Sequence, residues 1–163
     1  EKGIILFDEF AKQLKFENVL ESVEFYYQAI RKQNGAIGII LQSINQLPNN
    51  STSASILENT QVIYSLHNEK GYEELVRRLN LSKHDLNQLK SIKNNLTGSR
   101  KYTEIFIKIG KQSNVFRLEV PMEVYAAYLT DGSENDKIMA LYDQHKSMEK
   151  AITEFIKLKD RKL

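Results

Sequence analysis

The chain has 163 residues, of which 41% are hydrophobic and 27% charged, an ordinary globular balance with enough length to bury a core. A net charge of +2 gives no global signal for nucleic acid or for an anionic membrane surface. Cysteine is absent, which excludes disulfides and thiolate chemistry and fits a reducing compartment; no apolar stretch is long enough to cross a bilayer, and the N-terminus does not read as a signal peptide.

After Glu1-Lys2 the chain enters an apolar run, Gly3 to Phe7, closed by Asp8-Glu9. Unbroken apolar character over so few residues predicts a strand buried on both faces, and the abrupt start suggests a larger protein cut just upstream. Val19, Leu20, Val23, Tyr27 and Ile30 recur at helical spacing between about Glu17 and Asn34, with Gly35 as the expected C-cap. Ala36 to Leu41 predicts a second buried strand ending in Gln42. Strand, helix and strand in this order make a βαβ unit.

Leu47 to Ser55 reads as a polar loop, followed by a short helical turn around Ile56 and Leu57 and a third strand from Gln61 to Leu66. Two short helices are predicted at about Glu69–Leu79 and Ser82–Ile92, with Ser82 as N-cap. Asn94 to Ser99 is a turn-rich link. Tyr102–Ile109 and Val115–Val120 then predict an antiparallel hairpin about a loop from Gly110 to Asn114. Pro121 opens a short helix to about Leu129, and Asp131-Gly132-Ser133 breaks it. A last helix is expected from about Glu134 to Leu158, with Ile138, Leu141, Met148, Ile152 and Phe155 on its buried stripe. No internal repeat or low-complexity segment is visible. The whole reads as one α/β domain, residues 1–163.

The sharpest chemical signal is Ile4-Ile5-Leu6-Phe7-Asp8-Glu9, the Walker B pattern of P-loop ATPases. A buried strand is a rigid mount, and its C-terminal end faces the ligand crevice of an open α/β sheet. Asp8 would hold the water shell of a Mg²⁺ ion, and Glu9 would polarise the water that attacks the γ-phosphate. Gln42, at the end of the next strand, supplies a neutral amide for the γ-phosphate or the attacking water. Arg100 and Lys101 precede the hairpin. In ring ATPases such a cation reaches the neighbouring subunit's γ-phosphate, although spacing alone favours a solvated pair. The residues contain no Gly-x-x-x-x-Gly-Lys-Ser/Thr, so the segment by itself should not hydrolyse ATP. His67, His84 and His145 lack metal-ligand spacing.

These motifs, in this order, resemble the TraG-type conjugative-transfer ATPases, relatives of the large ATPase of type IV secretion systems within the HerA/FtsK-like branch of RecA-fold motors. The resemblance is carried by Gly3 to Phe10, Ile30 to Gly35 and Ile39 to Ser43. It continues through Ile56 to Leu66, Leu79 to Ser82, Ser99 to Gly110 and Glu123 to Thr130. It implies the C-terminal part of a RecA-like core with a helical insertion at about 69–92, a β-hairpin and a C-terminal helix at about 134–158. By that likeness Asp8 and Glu9 are the Walker B pair, Gln42 is the strand-end glutamine and Arg100 is an arginine acting in trans. Leu41 departs from the family, which often has Thr before the glutamine.

The resemblance further implies an ATPase using ATP and Mg²⁺ in its full-length form, with neither expected on this segment alone. Its partners would be further copies in a homo-oligomer of hexamer type and inner-membrane secretion-channel proteins, at a cytoplasmic site peripheral to the inner membrane. Two other readings stand beside it. Leu79 to Ile92 resembles a helix-turn-helix, so a nucleic-acid-binding module making weak DNA contact is one. A non-catalytic scaffold of the conjugation machinery is the other.

Overall fold

The computed structural model describes residues 3–14, 16–95, 102–130 and 132–160. The fold is α/β, with a two-stranded sheet and a four-stranded sheet. It divides into two compact units, one comprising 1–93 and 104–116 and the other 94–103 and 117–163.

In the first unit β1 (Gly3–Phe7) and β2 (Gly35–Ile39) pair in parallel, with Gly3 opposite Gly35 and Phe7 opposite Ile39. Between them run α1 (Phe10–Gln13) and α2 (Glu17–Ala29), the latter continued by a 3-10 turn over Ile30–Gln33. This is the expected βαβ unit, with one change at its second corner. Asn34, not Gly35, takes the left-handed conformation (φ 55°) that ends the helix. Asn tolerates this region because its short polar side chain bonds locally. Gly35 begins β2 instead, and a Cβ there would lie 2.6 Å from Ile30 Cγ1, so the close approach favours glycine.

Phe7, Ile37 and Ile39 pack on a core of Phe10, Leu20, Val23, Leu47 and Ile56. The other face of the pair is open: Ile4 is 74% and Leu6 65% exposed. The expectation that β1 is buried on both faces is therefore corrected. Partners across parallel strands share a face, and within the described residues the helices cover only the Phe7–Ile39 side. The polar stretch after β2 holds more structure than a loop. Asn50 Oδ1 accepts from the Ser53 amide at 2.9 Å and caps α3 (Ser51–Glu58), so Ser and Thr here begin a helix rather than interrupt one.

β3 (Val62–Ser65) pairs antiparallel with β5 (Tyr102–Ile109), which also pairs with β4 (Asn94–Asn95) and β6 (Gln112–Leu118). The turn between β5 and β6 is shorter than expected. Gly110 at φ 56° and Lys111 suffice, and residues 112–114 join the strand. The helical pair is α4 (Tyr72–Arg78), after a 3-10 turn at Glu69–Gly71, and α5 (Lys83–Ser91). Tyr72, Leu81, Leu89, Ile92 and Phe106 form the core between this pair and the sheet.

One buried charge lies within that layer. Asp85 is 2% exposed; its carboxylate completes the Ser82 capping box, accepts from the Ser113 hydroxyl on β6, and pairs with Lys108 Nζ on β5 at 3.2 Å. Burial works to raise its pKa, but the hydrogen bonds from Ser113 and Ser82 and the Lys108 ammonium outweigh it and hold the carboxyl well below its ordinary range.

In the second unit α6 (Met122–Ala127), α7 (Gly132–His145) and α8 (Met148–Asp160) enclose Ala126, Ile138, Leu141, Ala151 and Phe155. The single long helix expected from Glu134 to Leu158 is two. Lys146 adopts φ 50°, which ends α7 and turns the chain back into α8. Met148, expected on the buried stripe, is consequently 43% exposed. Among the described residues no helix is long and apolar enough to cross a membrane.

Two predictions follow from these contacts. Asp85 has a depressed folded-state pKa, so its contribution is complete above the ordinary carboxylate range and is lost as the pH falls through the folded value. Asp85→Asn should cost about 2–3 kcal/mol at neutral pH by uncovering Lys108. Urea melts at a series of pH values should show that gap narrowing below about pH 4, as wild type loses the same interaction. Lys146→Gly should raise stability by about 0.5–1 kcal/mol, because it removes left-handed strain at the α7–α8 corner. An unchanged or lower urea midpoint would contradict this.

Candidate functional site

The parallel pairing of β1 with β2 brings two strand ends together. Beyond the last rung, the Ile40 amide donates to Phe7 O at 2.9 Å, and the Phe10 amide donates to Ile40 O at 3.1 Å. Asp8 and Glu9 therefore lie in a turn stitched on both sides to the end of β2. Gln42 follows two residues after Ile40, so the acid pair and the amide share one end of the parallel sheet. This is the end at which open α/β sheets hold ligands.

Glu9 sits in the left-handed region, at φ 47° and ψ 43°, and acts as the N-cap residue of α1. A non-glycine residue is uncommon there, and such strain is concentrated at functional positions. The Asp8 carboxylate accepts from the Glu9 amide through Oδ1 at 2.8 Å, which orients it at the lip of the strand and leaves Oδ2 for other partners. Both acids are exposed. Glu9 Oε2 is paired with Lys12 Nζ, one turn further along. The sequence offered no reason to single out Lys12; an i, i+3 spacing on a helix start is its only signal.

Gln42 lies beyond β2 and not within it, because the ladder ends at Ile39. Its amide donates to Gln46 Oε1 at 3.0 Å, and its carbonyl accepts from Asn68 Nδ2 at 3.1 Å. Ser43 caps the 3-10 turn Ile44–Gln46 in a capping box with Gln46. Arg78, from the end of α4, donates to the carbonyls of Ile44, Leu47 and Pro48 at 2.8–3.0 Å.

Arg100 and Lys101 lie outside the described residues. A groove lined by Leu57, Thr60, Arg78, Asn80, Lys108 and Gly110 includes none of Asp8, Glu9 or Gln42. No group of three or more His, Asp or Glu able to hold a metal occurs among the described residues. A carboxylate such as Asp8, exposed and with one oxygen uncommitted, fits Mg²⁺ nonetheless. That ion keeps most of its waters and takes one or two carboxylates together with substrate phosphates.

On α5, Lys83, His84 and Lys90 are exposed, while Asp85 and Leu89 are buried. The helix thus presents a mildly basic outer face and is fastened to its sheet by an acid.

No curated protein matches the sequence. The family model described as the TraG P-loop domain matches residues 1–159. With that match running over nearly the whole chain, the chain belongs to the TraG P-loop domain family, the P-loop ATPases of conjugative transfer.

Proposed function

We propose that the chain supplies the hydrolytic half of an ATPase site in a conjugative-transfer motor. The observation that carries this reading is the strained Asp8-Glu9 turn, stitched to the end of β2 from which Gln42 follows. In this proposal Asp8 is the Walker B aspartate, holding Mg²⁺ through its water shell. The ion, when bound, would neutralise charge on the β- and γ-phosphates. Glu9 orients the attacking water and takes its proton as the bond from the γ-phosphorus to the bridging oxygen breaks, leaving ADP and inorganic phosphate. Gln42 contacts the γ-phosphate or that water through its amide. Arg100 acts in trans on the phosphate held by a neighbouring subunit. Phosphate binding requires a glycine-rich loop that these 163 residues do not contain, so the segment alone is inactive.

Glu9 reaches the water only when it turns from Lys12. Exposed pairs of this kind contribute about 0–1 kcal/mol, so the change in partner is small beside a catalytic barrier. The partners follow from the same reading: further copies of the chain in a ring of hexamer type, and the inner-membrane secretion channel on its cytoplasmic side. The exposed Lys83, His84 and Lys90 would lend at most weak, salt-sensitive contact with DNA phosphates.

Glu9 allows chemistry and stability to be separated. In the full-length protein, Glu9→Gln should lower Mg²⁺-dependent kcat by about 10²–10⁴, the usual worth of a positioned general base. Glu9→Gly should lose turnover equally, yet raise the stability of the chain by about 1 kcal/mol through relief of the left-handed strain. Steady-state hydrolysis assays with urea melts check both. Wild-type turnover in Glu9→Gln would sink the assignment of Glu9.

A further inference from the structure

We propose that Asn68 and Arg78 are positioning residues for Gln42, and that α4 is the element through which the strand-end amide is set. The inference rests on the reading of Gln42 given above and extends it to residues that touch no nucleotide.

Gln42 has left the ladder, since β2 ends at Ile39. Its peptide is held instead by side chains. Gln46 Oε1 accepts from the Gln42 amide at 3.0 Å and from the Ser43 amide at 3.3 Å, and Asn68 Nδ2 donates to the Gln42 carbonyl at 3.1 Å. Both backbone groups of Gln42 are thus hydrogen-bonded to side chains. The backbone of Asn68 is tied in turn, its main-chain N–H donating to the Tyr72 hydroxyl at 3.0 Å at the start of α4. The fit is close: a Cβ on Gly71 would lie 3.1 Å from Asn68 Nδ2.

The segment after Gln42 is gathered from the other end of the same helix. The Arg78 guanidinium meets three carbonyls, with Nη1 donating to Ile44 O (3.0 Å) and Leu47 O (2.8 Å) and Nη2 to Pro48 O (3.0 Å). Three acceptors around one planar fork suit arginine; a lysine ammonium, a point charge on a flexible stem, cannot reproduce the fork. Residues 42–48 are thus held at two points, by Asn68 ahead of the 3-10 turn that leads into α4 and by Arg78 at the last residue of α4. The core contacts of α4 through Tyr72, Leu75 and Val76 make the hold rigid. A displacement of α4 would move the Gln42 peptide with it, and misplacement of a catalytic group by about 1 Å is enough to cost 10²-fold in rate.

The test is a double-mutant cycle on Mg²⁺-dependent ATP hydrolysis by the full-length protein, using Gln42→Ala, Arg78→Met and the pair, with Asn68→Ala in the same two backgrounds. We expect Gln42→Ala to lower kcat. Arg78→Met should lower kcat by at least about 10-fold while KM for ATP stays within about twofold. In the Gln42→Ala background, Arg78→Met should cause no further loss, because the residue it positions is gone. An equal fractional loss in both backgrounds overturns the proposal, and so does a full rate in Arg78→Met. If Gln42→Ala itself keeps the wild-type rate, the fault lies in the reading of Gln42 and the positioning role falls with it. If Arg78→Met does not fold, Asn68→Ala carries the same cycle, since it removes one hydrogen bond and no buried core side chain; additivity there overturns the proposal too.

Discussion

Five parallel rungs between Gly3–Phe7 and Gly35–Ile39 are the constraint on which the candidate site depends. Parallel strands cannot be joined by a tight turn, so the chain must cross over, and α1 and α2 are that crossover. The crossover helices in turn need an apolar face to pack on, which Phe7, Ile37 and Ile39 provide. Because the strands run the same way, the residues leaving both of them emerge at one end. The Phe7–Ile40 and Ile40–Phe10 hydrogen bonds then allow little slack in the Asp8-Glu9 turn, and the strain shows as the left-handed conformation of Glu9.

Around the second sheet a different balance holds. Lys108 lies in register with Ile63, on the face that α4 and α5 cover, where a lone ammonium would be costly to desolvate. Asp85 removes that cost and in the same stroke caps α5 and anchors Ser113. Replacing such a buried pair with hydrophobic residues would often be neutral, whereas removing one partner alone leaves the other charge buried and uncompensated. Arg78 works by the same logic on the segment after β2, with three carbonyls in place of a carboxylate. In both places one charged side chain ties separate segments of the chain together through several hydrogen bonds at once.

Much of this was legible in the sequence. The apolar runs at 3–7 and 36–41, the helical period across Val19 to Ile30 and the Ser82 cap are local signals, and each appears as an element close to its expected bounds. The misreadings also have local causes. Residues 51–55 looked like loop because Ser and Thr compete for backbone hydrogen bonds, yet the Asn50 cap turns that stretch into the first turns of α3. The break at Lys146 carries neither Gly nor Pro, so no helix-stop signal marks it, and the packing of α8 back onto α7 decides it. Asp8, Glu9 and Gln42 could be placed at the ends of the parallel strands because strand ends are legible. Asn68 and Arg78 could not be singled out, because their partners are backbone carbonyls 26 and 30–34 residues away, and a carbonyl leaves no mark on the amino-acid sequence.

The sequence by itself determined the βαβ unit, the helical pair and the acids that close the first strand, because periodicity and end residues are properties of neighbours along the chain. Tertiary structure alone decided which face of β1 is covered, that β3 pairs antiparallel with β5, and that Gln42 is held by side chains and not by a strand. Those outcomes depend on which surfaces meet after the chain has turned back on itself, and on whether each buried donor and acceptor finds a partner there.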